Sequence, residues 1–338
     1  MKALALALAA FGAAASVPAI AAPTYTLVKS VPLGTPDRWD YVVYDGQTKR
    51  VYVAHGDQLA VVDTRTGNLV GHVDGISGGT HGTAISSATH QGFTDDGRNG
   101  KAVAFDLTTL KITREIPAQV DADAIASDRA TGHIFIIEGD PEAMTVIDPR
   151  TDAAVATIKA GEKLEYGEGD GHGSIYVAGV ATGNLLKIDA RTNQVVGRWP
   201  TTGCTGPHGL AVDPRTNRVF MGCANAAMVV VDGKTGRQVA TLPIGHGNDA
   251  VAFDPVRKRV FSSNGRDGTI SVYQQVTPDR YVALPTVQSL VSGRTMSVDP
   301  ENGDLFVAAA DIDPTPTPNG RPKIKPGTAK LLIFEPRG

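Results

Sequence analysis

The chain has 338 residues, of which 41% are hydrophobic and 20% charged, with a formal net charge of −3. That balance lacks the basic surplus or basic stripe expected of a nucleic-acid binder. Its 38 glycines and 21 prolines are spread along the whole length with no linker-like block, which favours one repetitive domain over two.

At the N-terminus, Lys2 precedes an Ala- and Leu-rich run from Ala3 to Ala15, Pro18 breaks it, and Ala19-Ile20-Ala21-Ala22 follows with small residues. This is the order of a secretory signal, and the run is shorter than the roughly 20 residues a spanning helix requires. Cleavage is expected near Ala21 or Ala22. Residues 1–22 are then a removed signal peptide, and residues 23–338 a single domain without a transmembrane segment, periplasmic or secreted. Losing Lys2 takes the charge from −3 to −4. In an oxidising compartment the only two cysteines, Cys204 and Cys223, are expected to form a disulfide, since a lone pair lacks the ligands of a closed zinc site.

From there the sequence repeats. An apolar pair, an Asp and a threonine-containing turn recur at Val61-Val62-Asp63-Thr64-Arg65-Thr66-Gly67, Ala104-Phe105-Asp106, Val146-Ile147-Asp148, Lys187-Ile188-Asp189 and Val230-Val231-Asp232. These aspartates stand 43, 42, 41 and 43 residues apart, and Tyr273 lies 41 further on. A second marker is an Asp followed seven residues later by an aromatic: Asp45 and Tyr52, Asp128 and Phe135, Asp213 and Phe220, Asp254 and Phe261, Asp299 and Phe306. Ser86 with Phe93 and Gly169 with Tyr176 complete seven units.

Each unit reads as four short strands, because turn formers separate segments rich in Val, Ile, Phe and Tyr and no segment holds a helical period. Seven such units predict an all-β, seven-bladed β-propeller of four-stranded blades. The last unit supplies only three strands, near Thr295–Asp299, Asp304–Ala309 and Lys330–Phe334. Its outer strand is expected from the other end of the chain, Tyr25–Val31, which closes the ring and removes a free edge.

The Val-x-Asp-x-x-Thr-Gly turns, the spacing and phrases such as Arg218-Val219-Phe220 resemble the YVTN-repeat, or YncE-like, family of exported bacterial propellers. The signature tetrapeptide has drifted, to Tyr52-Val53-Ala54-His55, Tyr176-Val177-Ala178-Gly179 and Phe261-Ser262-Ser263-Asn264. The resemblance implies a seven-bladed propeller in the cell envelope and no particular reaction. A family member reported to bind DNA raises that option, which the charge balance here disfavours.

Five residues ahead of each marker, counted in the fourth unit from Asp170, one residue off strict register, the innermost strand of a propeller blade should begin, at one mouth of the central channel. The residues there are Asp40, His81, Asp123, Glu165, His208, Asp249 and Arg294, all ionisable. Such a ring could hold a small polar ligand, shuttle protons, hydrate the channel, or bind a divalent metal ion through Asp40, Asp123, Glu165 and Asp249. Gly82 and Gly209, which follow the two histidines, allow close backbone approach there. Loops on the same face add His55, Arg98 with Asn99, Glu138 with Asp140, Asn225, and Asn264 with Arg266. Arg98 and Arg266 could clamp an anion, and the long proline-rich loop from Asp311 to Gly327 could form a lid or a partner-docking strap.

There is no nucleophile elbow, phosphate-cradling loop, haem-attachment motif or paired CxxC motif. The expectation is a binding or scaffold protein whose polar mouth takes a small molecule, a metal ion or a protein partner in the cell envelope. The alternative is a metal-dependent lactonase- or lyase-type enzyme with channel carboxylates on the metal and His81 or His208 as base.

Overall fold

The computed structural model describes residues 24–313, 315 and 323–337. The expected signal peptide lies outside these residues, as does most of the proline-rich stretch of the expected lid.

Seven antiparallel sheets, each built on four strands, form a seven-bladed β-propeller, and in blade six a short fifth strand, Val287–Gln288, also pairs with the third. Blade one consists of Val42–Asp45, Arg50–His55, Gln58–Asp63 and Asn68–Asp74, paired in that order. Blades two to six repeat the plan, with first strands Thr83–Ser86, Ala122–Ser127, Leu164–Gly169, Pro207–Asp213 and Asn248–Asp254. First strands of successive blades lie against one another around the whole ring, which makes them the innermost. Blade seven runs, from inside out, Thr295–Val298, Leu305–Ala309, Lys330–Arg337 and finally Thr24–Pro32. The N-terminal strand pairs antiparallel with the C-terminal one from Thr24↔Arg337 to Pro32↔Lys330, so the two ends of the chain close the ring as expected. The 3₁₀ turn at Gly97–Asn99 is the single helical element among the described residues.

Both sequence markers have a mechanical role. Each aspartate folds its carboxylate back onto the turn that follows. Asp45 accepts from the Gln47 and Thr48 amides, Asp63 from Arg65 and Thr66, Asp106 from Thr108 and Thr109, and Asp254 from Val256 and Arg257. These side chains satisfy amides the ladder leaves free, which is why Asp recurs where one strand ends. The seven aromatics, Tyr52, Phe93, Phe135, Tyr176, Phe220, Phe261 and Phe306, are fully buried. At about 1.5–3 kcal/mol for a buried side chain of this size, they form a repeated apolar anchor of the ring. Cys204 and Cys223 are joined, with Cα atoms 5.3 Å apart, tying the loop before the inner strand of blade five to the end of its second strand.

Candidate functional site

The inner strands do not run evenly to their ends. In blade three Ala122 pairs with Glu138 and Ala124 with Ile137, so Asp123 is an extra residue in the ladder. Asp249 is extra in blade six, between Asn248↔Asn264 and Ala250↔Ser263. Glu165 and Tyr166 face only Ala178, and His208 and Gly209 face only Gly222, because pairing jumps there by one residue. A β-bulge bends its strand and re-aims the extra side chain. In blades one, two and seven the ring residue stands just ahead of the paired strand.

As a result, residues from seven different blades come together. Arg294 Nη1 lies 3.2 Å from Asp249 Oδ2 and its Nη2 4.0 Å from Asp40 Oδ2. His208 Nδ1 is 2.9 Å from Glu165 Oε1 and 3.9 Å from Asp249 Oδ1. Asp123 feels the charges of Glu165 and His81, and His81 that of Asp40, which completes the circuit. Close approach is built in: a Cβ on Gly209 would lie 2.5 Å from the backbone of Ala250 and Val251, and one on Gly82 3.0 Å from the Ile125 amide.

The electrostatics of the ring follow from burial and crowding. Burial pushes the Asp40 carboxyl up to about 7, Arg294 opposing it and Asp249 adding to it. Burial also pushes Asp123 to about 6, with Asp121 and Glu165 adding to the rise. Asp249 is raised by burial against the pull of Arg294 and His208. His208 is raised chiefly by its hydrogen bond to Glu165. For His81 burial alone would lower the value, but the hydrogen bond and charge of Asp95, helped by Asp40 and Asp123, carry it to about 9.

Asp95 was not among the expected site residues. Fully buried at the end of the second strand of blade two, it accepts from the backbone amides of His81 and Gly82 at 2.9 Å and meets His81 Nδ1 at 2.8 Å. The signal was present: two residues after the aromatic marker the other blades carry Ala54, Ile137, Ala178, Gly222, Ser263 and Ala308, and only blade two carries an acid. Glu168 was missed too. It is the one charged residue between ring position and marker in any inner strand, and burial pushes its carboxyl to about 8 while the Val212 amide draws it down.

An aromatic pair lies close to the ring. Tyr41 follows Asp40, Tyr166 follows Glu165, and their ring centroids are 4.4 Å apart although they come from blades one and four. Tyr41 packs into the apolar cluster of blades three and four, with Ala124, Ile137, Leu164 and Val177. Burial, then the nearby Glu165, Asp249 and Asp40, hold its hydroxyl well above the ordinary tyrosine range. Arg294 stands over Trp39 at 5.9 Å and donates to the Trp39 carbonyl at 2.7 Å.

The loop residues do not join the ring. Arg98 donates to the Gly78 carbonyl, Arg266 is exposed, and neither forms an ion pair among the described residues. Asn264 is fully buried, donating to the Thr269 and Ser271 hydroxyls and accepting from Ser262. Glu138 is buried as well, accepting from Gln119 and Thr145, while Asp140 pairs at the surface with Lys163. His55 is buried with no partner for its Nε2 among the described residues, and Asn225 caps the loop beside Cys204.

No family model matches the chain. The chain is similar to a protein of Salmonella typhimurium named "Uncharacterized protein YncE", at 24% identity over 244 residues, which span 67% of this chain and 68% of the relative. Among solved structures it resembles a chain of Kuenenia stuttgartiensis hydrazine synthase, with TM-score 0.69, 12% identity, and coverage of 82% of this chain and 92% of that one. A chain of the mitotic checkpoint complex gives TM-score 0.73 at 14% identity, over 99% and 98% of the two chains. U3-55K gives 0.75 at 11% identity, over 90% and 98%. At such identities the structural likenesses speak for the fold alone, and with the sequence relative they support a YncE-like seven-bladed propeller.

Proposed function

We propose that this chain is an exported binding protein whose working surface is the ring of Asp40, His81, Asp123, Glu165, His208, Asp249 and Arg294, and whose ligand is small and carries positive charge. One observation carries this reading. Seven inner strands, four of them through a bulge, deliver ionisable side chains to one place, where the carboxyls of Asp40 and Asp123 are pushed up to about 7 and about 6. Carboxylates crowded and buried beyond what Arg294 and the histidines neutralise are stabilised by an incoming cation. Tyr41 and Tyr166 set an aromatic pair close to that cation.

The same chemistry weighs against the enzyme reading with His81 as base. Held at about 9 by Asp95, His81 is an imidazolium at neutral pH and has no free lone pair to accept a proton. Export rests on residues 1–22, and the cell envelope, periplasmic or secreted, is where partners would be met. Cell fractionation with and without those residues tests that part.

The binding reading is tested by thermal shift with spermidine and with Mn²⁺. The expected result is a rise of roughly 3 °C with at least one of them. The rise should be absent in the combined variant Asp40→Asn, Asp123→Asn, Glu165→Gln, Asp249→Asn. If neither probe stabilises the wild type, or the variant responds equally, the reading is wrong.

A further inference from the structure

We infer that Glu165, His208 and Asp249 form a binding site for a single divalent ion of the borderline first-row class, Zn²⁺ or Mn²⁺, on one side of the ring. The inference rests on the binding reading above and specifies one ligand for it. Its starting point is geometric: one donor atom from each of the three residues lies within 4.8 Å of the other two. Donors about 2.0–2.2 Å from one ion, at tetrahedral or octahedral angles, are themselves roughly 3.0–3.5 Å apart. The separations here, 2.9 Å from His208 Nδ1 to Glu165 Oε1 and 3.9 Å to Asp249 Oδ1, bracket that value. Movements of under about an ångström would bring all three onto one ion.

The three ligands come from adjacent blades four, five and six, and each sits in the bulge of its inner strand. The bulges supply the aim, and the packed strands on either side supply rigidity. Support extends outward from Asp249. Arg294 holds its Oδ2 at 3.2 Å, which leaves Oδ1 as the atom facing His208. A positively charged neighbour that grips the far oxygen of a ligand carboxylate orients that ligand. Charge also balances: Glu165 and Asp249 match the two charges of the ion, while Asp40, 4.0 Å away, matches Arg294. One imidazole and two carboxylates suit Zn²⁺ or Mn²⁺ better than Ca²⁺ or Mg²⁺, which prefer oxygen alone.

The test is isothermal titration of chelator-treated full-length protein with ZnCl₂, MnCl₂ and CaCl₂, with thermal melts confirming that every variant is folded. The expected result is one equivalent of Zn²⁺ or Mn²⁺ bound at least about 10-fold more tightly than Ca²⁺. His208→Gln and Glu165→Gln should each lower that affinity by about 100-fold or more, whereas Glu115→Gln, in the exposed ion pair with Lys101 on the outer strand of blade two, should change it by less than about threefold. Absence of Zn²⁺ and Mn²⁺ binding overturns the inference. If spermidine still stabilises the wild type in that case, the broader binding reading stands without the metal. Binding that survives His208→Gln places the ion elsewhere and also overturns it.

Discussion

Tyr41 of blade one and Tyr166 of blade four meet with ring centroids 4.4 Å apart, so two blades that are not neighbours touch, each through the residue that follows its ionisable ring position. This contact ties blade one into the apolar cluster of blades three and four. Truncating Tyr41 to Ala leaves a void where several blades share one contact. The expected loss is about 3 kcal/mol, read from urea unfolding, with Tyr41→Phe retaining most of the stability. A loss below about 1 kcal/mol would show that the pair contributes little to holding the blades together.

Ring closure gives a second expectation. Thr24–Pro32 is the outermost strand of blade seven and pairs along its length with Lys330–Arg337. Val31 also packs with Val51, Val53, Ala308 and Leu331, where blades one and seven join. Deleting residues 24–32 exposes an unpaired edge and that apolar seam together. The truncated chain is expected to lose a single cooperative transition and to aggregate. A sharp melt at the wild-type temperature would mean that the blades hold without the closing strand.

The fold was legible because the propeller repeats its instructions. The turn-capping aspartates and buried aromatics recur at fixed spacing, so a drifted residue in one unit, such as Ser86 for Asp, is outvoted by the others. The ring was legible for the same reason: six of its residues occupy one register position, and Glu165 stands one residue off it. What the repeat hid was everything that occurs once. Asp95 and Glu168 each break the pattern in a single blade, so no repeat marks them. The Tyr41–Tyr166 contact joins blades one and four, and a linear repeat carries no information on contacts across its own ring. Asn264 stood out as a polar loop residue, but the register that sets up blade six turns it inward onto Thr269 and Ser271.

The His81–Asp95 pair sets a pH dependence. His81 titrates near 9 in the folded chain against an ordinary value of 6.5, so the folded state binds the proton more tightly. Its stabilising contribution is complete below about pH 6.5 and is lost as pH rises through about 9. NMR titration should find one histidine near 9, and Asp95→Asn should lower it by about 2 pH units. Urea midpoints of that variant should decline less steeply between pH 6.5 and 9 than those of the wild type. A wild-type protein with every histidine titrating below 7 would rule the pair out as described.

Asp40 should show the cost of keeping the ring acidic. Its carboxyl titrates near 7 when folded against 3.8 ordinarily, so between those values the unfolded chain has already released a proton that the folded chain retains. Stability must therefore fall as pH rises from about 4 to 7 on account of this residue, and stay reduced above that range. The full move corresponds to about 4 kcal/mol. With 23% of the side chain open to solvent, screening brings the recoverable part to about 1–2 kcal/mol. Asp40→Asn is thus expected to stabilise the protein by about that amount at pH 8 and by nothing measurable near pH 4, in urea unfolding at both values. A residue whose removal stabilises the fold is retained for another reason, and binding is the reason proposed here. If Asp40→Asn destabilises at pH 8, the Arg294 pairing outweighs burial and Asp40 is part of the scaffold instead.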